Sequence, residues 1–98
     1  MSYRRIRDLN KCVKDGEPIK HKINKYGESK TWIVIYNKTD NTLVCGDVIY
    51  SGISPLNQFT TNNYKKYRPD RKSGNNAWTE CEIYRNNTWI SMFDLPEL

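Results

Sequence analysis

The chain has 98 residues, a formal net charge of +5 and an aromatic content of 12%. This length allows one domain with a thin core, and the aromatic content argues against a disordered chain. No stretch approaches the roughly 20 apolar residues of a membrane span. The N-terminus lacks the apolar core of a secretory signal, and the cysteines are three and widely spaced. We therefore expect an intracellular protein with reduced thiols.

The first half of the chain predicts one helix followed by strands. Apolar residues at helical spacing indicate an N-terminal helix over about residues 3–14, which ends before Gly16. β-branched and aromatic residues predict three strands over residues 18–23, 31–36 and 42–50. The last strand is expected to bend at Gly46 and Asp47, and the last two strands should form a hairpin.

The second half predicts a helix and a hairpin. Ser54 and Pro55 are typical of a helix start, and Pro69 sets its end near residue 67. Strands over residues 78–84 and 88–93 should be joined at Asn86 and Asn87, since asparagine tolerates the left-handed conformation of tight turns. The expected fold class is α+β: a small antiparallel sheet of hairpins with the N-terminal and central helices packed on it, in one domain over residues 1–98.

Basic residues gather in two segments, whereas the C-terminal segment is acidic. In the second basic segment tyrosines alternate with cations, a pattern that suits phosphate contacts and stacking on bases. The predicted nucleic-acid-binding residues are Tyr64, Lys65, Lys66, Arg68, Arg71 and Lys72, assisted by Arg4, Arg5 and Arg7. The alternative is a solvated helix end whose tyrosines pack into the core, Tyr67 more so than Tyr64.

Two further positions carry open alternatives. Ser54 is expected to cap the central helix, although the free N–H groups of that terminus also suit a phosphate. Trp78 is expected in the core. The alternative interpretation makes Ser51 and Trp78 walls of a pocket for an extruded or modified base.

Nothing in the sequence predicts catalysis, a metal or a cofactor. His21 is the single histidine, no nucleophile accompanies it at a recognisable spacing, and its lysine-flanked strand suggests a place at an edge or on the surface. A structural zinc site usually shows a Cys-x₂-Cys pair, which this chain lacks. Cys12 and Cys81 fit core-facing positions on a helix and a strand.

From Val44 to Leu95, the order of features resembles the RAMA domain, the restriction enzyme–adenine methylase-associated module. The features that carry the resemblance are Gly46 in a strand, Tyr50, Ser51-Gly52-Ile53-Ser54-Pro55 opening a helix, Ala77-Trp78, and closing strands with Trp89 and Leu95. The chain departs from the family in having no small residue after the serine motif, Ala77 in place of glycine, and Cys81 in place of a second tryptophan. The resemblance implies a DNA-binding role without an active site, proposed for the family as reading modified DNA. Such modules also occur as short free-standing proteins in large DNA viruses, a source that this composition suits.

The expected function is thus a non-catalytic module that binds nucleic acid, with DNA favoured over RNA, and that has no membrane partner. The alternatives are a structural module of a virion or of packaged chromatin that acts through self-association, and an inhibitor that docks on another protein. A homodimer would pair sheet edges. Residues 42–50 are favoured for that pairing over residues 18–23, which lysines border.

Overall fold

A computed structural model of the chain describes residues 8–70, 77–96 and 98. The elements in chain order are α1 (Leu9–Cys12), β1 (Pro18–Lys25), β2 (Glu28–Asn37), β3 (Thr42–Cys45), β4 (Val48–Tyr50), α2 (Pro55–Tyr67), α3 (Ala77–Glu80), β5 (Cys81–Arg85), β6 (Thr88–Ser91) and a 3₁₀ turn (Met92–Asp94). The strands form one antiparallel six-stranded sheet in the order β4-β3-β2-β1-β5-β6. The predicted α+β class, with a helix packed on a sheet of hairpins, is confirmed.

Strand β1 lies inside the sheet. It pairs with β2 along its whole length and with β5 through Ile19, Lys20 and His21. Its side chains alternate, so that Ile19, His21 and Ile23 are buried while Lys22 faces solvent. The expectation that residues 18–23 form an edge is therefore wrong. Lys20 and Lys22 face outward from the open side of the sheet and do not block a free edge, whereas Lys25 lies on the side of α2.

The central helix α2 begins and ends where the sequence predicts. Ser54 Oγ accepts a hydrogen bond from the backbone N–H of Asn57 at 3.4 Å, and Pro55 occupies the first turn. Leu56 and Phe59 are fully buried against the sheet. Burial of these two side chains contributes roughly 1.5–3 kcal/mol each, which fixes the helix on the sheet.

Four predicted elements need correction. Within the described residues, α1 has a single turn over Leu9–Cys12, because Asp8 before it is extended; the start of the predicted helix lies outside the described residues. The predicted strand over residues 42–50 is a complete hairpin, since the chain reverses at Gly46 (φ 60°). The predicted strand over residues 78–84 starts at Cys81, after the helical turn α3, and the predicted last strand ends at Ser91, before a 3₁₀ turn.

The segment before β1 is fastened to β5 by an ion pair. Arg85 Nε and Nη2 donate to the two carboxylate oxygens of Glu17 at 2.8 and 2.5 Å, and Nη2 also donates to Cys12 O at 3.0 Å. Glu17 also accepts the Lys14 N–H at 2.6 Å. Burial raises the pKa of Glu17, but the hydrogen bonds from Arg85 and Lys14 outweigh this, so the pKa lies below its ordinary 4.5. No helix among the described residues is long and apolar enough to cross a membrane.

Candidate nucleic-acid interface

The tip of the β1–β2 hairpin presents an aromatic residue in an unusual conformation. Tyr26 and Gly27 form the two-residue turn, and both have positive φ, 47° and 83°. This pattern is that of a type I′ turn, which asparagine or glycine normally occupies. A tyrosine with positive φ is uncommon, and such strained residues cluster at functional sites. The side chain of Tyr26 is nevertheless 86% exposed, so core packing does not explain its place.

The C-terminal end of α2 lies against this hairpin. Arg68 Nη1 donates to Asn24 O at 3.1 Å, and Lys25 Nζ donates to Tyr67 O at 3.2 Å. The Arg68 guanidinium also lies over the Tyr26 ring, 5.8 Å from its centroid. The hydrogen bonds run in both directions between hairpin and helix, so the two elements present one continuous surface.

Cations and aromatic rings alternate across this contact. The rings of Trp32 and Tyr67 meet edge to face at 5.9 Å. Lys30 lies over Trp32 and Lys25 over Tyr67, each 5.5 Å from the ring centroid. With the exposed lysines at the end of α2, they form what we call the basic–aromatic surface: Lys25, Tyr26, Lys30, Trp32, Lys65, Lys66, Tyr67 and Arg68.

Two carboxylates border the surface and reduce its positive charge. Glu28 ends the hairpin turn opposite Lys25, and Asp70 follows Arg68. Arg68 and Asp70 form an ion pair at 3.4 Å, and the hydrogen bond from Arg68 lowers the pKa of Asp70. The Arg68 side chain is only 20% exposed. Since its donors serve Asn24 and Asp70, Arg68 joins the helix to the hairpin, and the exposed lysines are better placed to reach a phosphate than Arg68 is.

The burial of Tyr64 and Tyr67 is the reverse of the prediction. Tyr64 is only 7% exposed and donates its hydroxyl to Glu80 Oε1 at 3.0 Å. Tyr67, the expected core residue, is half-buried at the surface. Tyr64 is therefore not available for stacking on a base. Arg4, Arg5, Arg7, Arg71 and Lys72 lie outside the described residues.

The crevice beside the N-cap of α2 is too small for a base. Trp78 and Ser54 line a crevice with a volume of about 20 Å³, which is close to the space of one water molecule. Trp78 is half-buried and packs against the core, while Ser51 is exposed and does not line this crevice. In the described part of the chain, Ser51 and Trp78 do not form the alternative pocket for an extruded base.

A larger concave site lies between α2 and β4. The groove has a volume of about 480 Å³. Its β4 wall is formed by Val48 and Tyr50. Its α2 wall is formed by Asn57, Gln58, Thr61, Asn62 and Lys65. Lys65 belongs to both the groove and the basic–aromatic surface, so the two adjoin.

Beneath the basic–aromatic surface lies a buried polar cluster centred on His21. Asn63 Nδ2 donates to His21 Nδ1 at 3.0 Å, and His21 Nε2 donates to Glu80 Oε1 at 3.1 Å. The expectation that His21 lies at an edge or on the surface is wrong, because the side chain is fully buried. Burial lowers the pKa of His21 below its ordinary 6.5, and the hydrogen bond and charge of Glu80 offset this only in part. His21 is thus a neutral imidazole at neutral pH.

The buried cluster connects the core to the interface. The imidazole stacks on Trp32 at a centroid distance of 6.0 Å, and it meets Phe59 and Tyr64 edge to face. Within the described residues, Glu80 Oε2 is buried and has no hydrogen-bond partner. The cluster therefore packs His21 against the buried side of the Trp32 ring, while one oxygen of its Glu80 carboxylate lacks a hydrogen bond in the described part of the chain.

Cysteine chemistry does not add a site in the described part of the chain. Cys12 and Cys81 are buried in the core, as predicted, and Cys45 is half-buried. Burial, together with the charges of Glu80 and Glu82, raises the pKa of the Cys81 thiol well above its usual range. A thiol in this state is neither a good nucleophile nor a ready metal ligand. Residues 8–70, 77–96 and 98 contain no cluster of side chains suited to a metal ion.

Sequence reasoning missed the half of the surface that the hairpin supplies. Lys25, Tyr26, Lys30 and Trp32 lie near each other in sequence, but the sequence predicted a site only over residues 64–72, at and after the end of α2, and at residues 4–7. A usable signal was present, because Tyr26-Gly27 separates two strand-like runs and such a turn must expose its aromatic residue. Comparisons of this chain with models of known protein families, with curated proteins and with solved structures found no match.

Proposed function

We propose that the chain is a non-catalytic DNA-binding module that holds a phosphate backbone on its basic–aromatic surface. The observation that supports this most strongly is the junction of hairpin tip and helix end. There Arg68 lies over the exposed ring of Tyr26, and Lys25 and Lys30 lie over the rings of Tyr67 and Trp32. Lysines neutralise phosphates, and aromatic rings stack on bases whatever their sequence. The resemblance to RAMA domains points to the same role. The proposal includes the reading of modified DNA. It also includes an intracellular location, either in a host cell or in a virion.

The conformation of Tyr26 adds to this argument. A non-glycine residue held at positive φ costs on the order of 1–3 kcal/mol, and glycine or asparagine at this position would avoid most of that cost. Packing of the ring in the core does not offset this cost, because the ring faces solvent. A ligand that stacks on the ring would account for the presence of tyrosine at this turn.

The proposal is tested by the salt dependence of binding. The variant Lys30→Gln/Lys65→Gln/Lys66→Gln should bind duplex or single-stranded DNA more weakly, whatever the sequence. It should also lose roughly 0.7–0.9 unit of salt slope for each contact removed. Fluorescence anisotropy over roughly a tenfold range of salt, from about 30 to about 300 mM, resolves that slope. Methylated and unmethylated duplexes in the same series measure any preference for modification.

The matched control is Lys11→Gln/Lys14→Gln/Lys38→Gln, which removes the same charge near the opposite end of β1. That end lies about 25 Å from the hairpin tip, because a strand rises about 3.3 Å per residue and β1 has 8 residues. The control should lose little of the slope. Equal losses in the two folded variants would mean that DNA responds to net charge alone, and the assigned surface would be wrong.

A second candidate function is protein interaction through self-association, and the open face of the sheet favours it. Ile33, Ile35 and Ile49 are exposed there, on the face opposite α2. Neighbouring exposed isoleucines on a sheet face are typical of a contact with another protein. Sedimentation in reducing buffer separates the candidates: a dimer whose stability changes little with salt supports self-association, whereas a monomer with steeply salt-dependent DNA binding supports the first proposal.

A further inference from the structure

The groove between α2 and β4 has a wall of neutral hydrogen-bonding groups. Asn57, Thr61 and Lys65 follow one another at intervals of four residues, and Gln58 and Asn62 run parallel to them on the same helix face. The sequence of α2 contains no acidic residue, so this wall does not repel phosphates. A side-chain amide offers a donor and an acceptor side by side, which matches N7 and the N6 amino group of adenine.

One of these amides is held in position by a hydrogen bond, and a second lies beside the backbone of Gly52. Asn62 Nδ2 donates to the hydroxyl of Tyr50 at 3.0 Å across the groove. Gln58 lies over Gly52, where a Cβ would come within 2.9 Å of its amide nitrogen. Gly52 has φ +99°, so the backbone at this position favours glycine. Groups fixed before binding lose less conformational entropy when a ligand arrives.

The remaining features of the groove suit a single nucleotide. Its volume of about 480 Å³ falls within the range of small-ligand sites. Val48, at the opposite wall, is partly exposed and offers an apolar surface to the face of a base ring. Lys65 supplies a cation at the side that adjoins the basic–aromatic surface. A base reaches such a concave site only when it is unpaired.

We propose that this groove binds one unpaired adenine of a DNA strand whose phosphates lie on the basic–aromatic surface. The inference rests on the proposed DNA-binding function and adds base preference to it. The lysines and Tyr26 hold any strand, while the amides of Asn57 and Gln58 select the base. Lys65 contacts the phosphate that joins the two sites.

The test compares homopolymer strands of dA, dC and dT about 12 nucleotides long, by fluorescence anisotropy at low salt. The folded wild-type protein should bind dA roughly tenfold more tightly than dC, since a bidentate amide–adenine pair discriminates by about this factor or more. The variant Asn57→Ala/Gln58→Ala removes two exposed amides and introduces a good helix former at each position. It should bind all three strands with equal affinity and an unchanged salt slope.

The control variant Asn10→Ala removes an exposed amide from α1 and should keep the preference for dA. As a second measurement, the side-chain NH₂ signals of Asn57, Gln58 and Asn62 in NMR spectra should shift with dA and not with dC. Retention of the preference in the folded double variant, or its absence in a wild-type protein that binds all strands, overturns the inference and leaves DNA binding intact. A wild-type protein that binds no strand at low salt overturns the proposed function as well.

Discussion

Two carboxylates of similar exposure, Glu17 and Glu80, have very different surroundings. Their side chains are 14% and 16% exposed. Glu17 meets a full positive charge, because Arg85 donates to both of its oxygens and the Lys14 N–H adds a third bond. Glu80 meets neutral donors, His21 and Tyr64, which both contact Oε1.

The difference lies in how completely each carboxylate is satisfied. Within the described residues, Glu80 Oε2 has no hydrogen-bond partner, whereas both oxygens of Glu17 have one. A buried polar atom without a partner costs on the order of 1–3 kcal/mol. The Glu17 pair therefore fastens the segment before β1 to β5. The Glu80 cluster, directly beneath the candidate interface, instead contains a buried oxygen that lowers the stability of the fold.

The largest effect is expected when the imidazole is removed. His21→Ala should lower the free energy of unfolding by about 3–5 kcal/mol. The variant leaves a cavity, and it removes both the hydrogen-bond donor to Glu80 and the acceptor for the Asn63 amide. Urea denaturation followed by tryptophan fluorescence at pH 7.5 (a value about one unit above the ordinary histidine pKa) measures it.

The matched variant Tyr64→Phe removes only the hydroxyl that donates to the same carboxylate, and it should lower the free energy of unfolding by about 1 kcal/mol. A His21→Ala variant that loses no more than Tyr64→Phe would show that the cluster is not a stability element, and the comparison with Glu17 would fail.

A smaller effect is expected at the other carboxylate. Glu17→Gln keeps the shape of the side chain but removes its charge, and it should cost about 1–3 kcal/mol. Arg85 keeps one partner, Cys12 O, which limits the loss. The control is Asp8→Asn, which breaks an exposed ion pair with Lys11 and should change stability by less than about 1 kcal/mol. Equal losses in the two variants would show that the Glu17 pair acts only as a surface contact.

The smallest effect concerns pH, because the two clusters should lose stability over different pH ranges. Because the pKa of His21 is lowered in the folded state, the unfolded chain binds a proton below pH 6.5 that the folded chain does not. The free energy of unfolding should therefore fall as pH falls below 6.5, by at most about 1.4 kcal/mol per pH unit. The lowered pKa of Glu17 produces a second loss of the same sign, which starts near its ordinary value of 4.5.

Unfolding curves at closely spaced pH values resolve the two windows. In His21→Gln the upper window should disappear while the lower one remains. A wild-type protein that becomes more stable on mild acidification would contradict the lowered pKa of His21.

The sequence predicted local structure well where one or two residues determine it. Asn86 and Asn87 adopt the left-handed conformation that their turn requires, with φ of 56° and 64°. Ser54 and Pro55 start the central helix. The position of β1 inside the sheet was not predictable in this way, because it depends on pairing between His21 and Cys81, which are distant in sequence.

The candidate site was predictable only in part, for a related reason. The exposure of Lys65 and Lys66 follows from the polarity of the helix end. Tyr64 and Tyr67 are three residues apart on neighbouring helix faces, so the helix pattern does not decide which one is buried. That choice is made by Glu80, which α3 brings to the Tyr64 hydroxyl from a different part of the chain.

The placement of β1 between β2 and β5 also determines the order in which the sheet can be completed. Strands β1 to β4 follow one another as hairpins, so each can pair with a neighbour that has just been synthesised. The second side of β1 must wait for β5, about sixty residues later, and this long loop closure is entropically costly. During synthesis on the ribosome, His21 thus has no carboxylate partner until Glu80 arrives. The pairing of β1 with β5 is therefore the step that joins the C-terminal hairpin to the other four strands of the sheet.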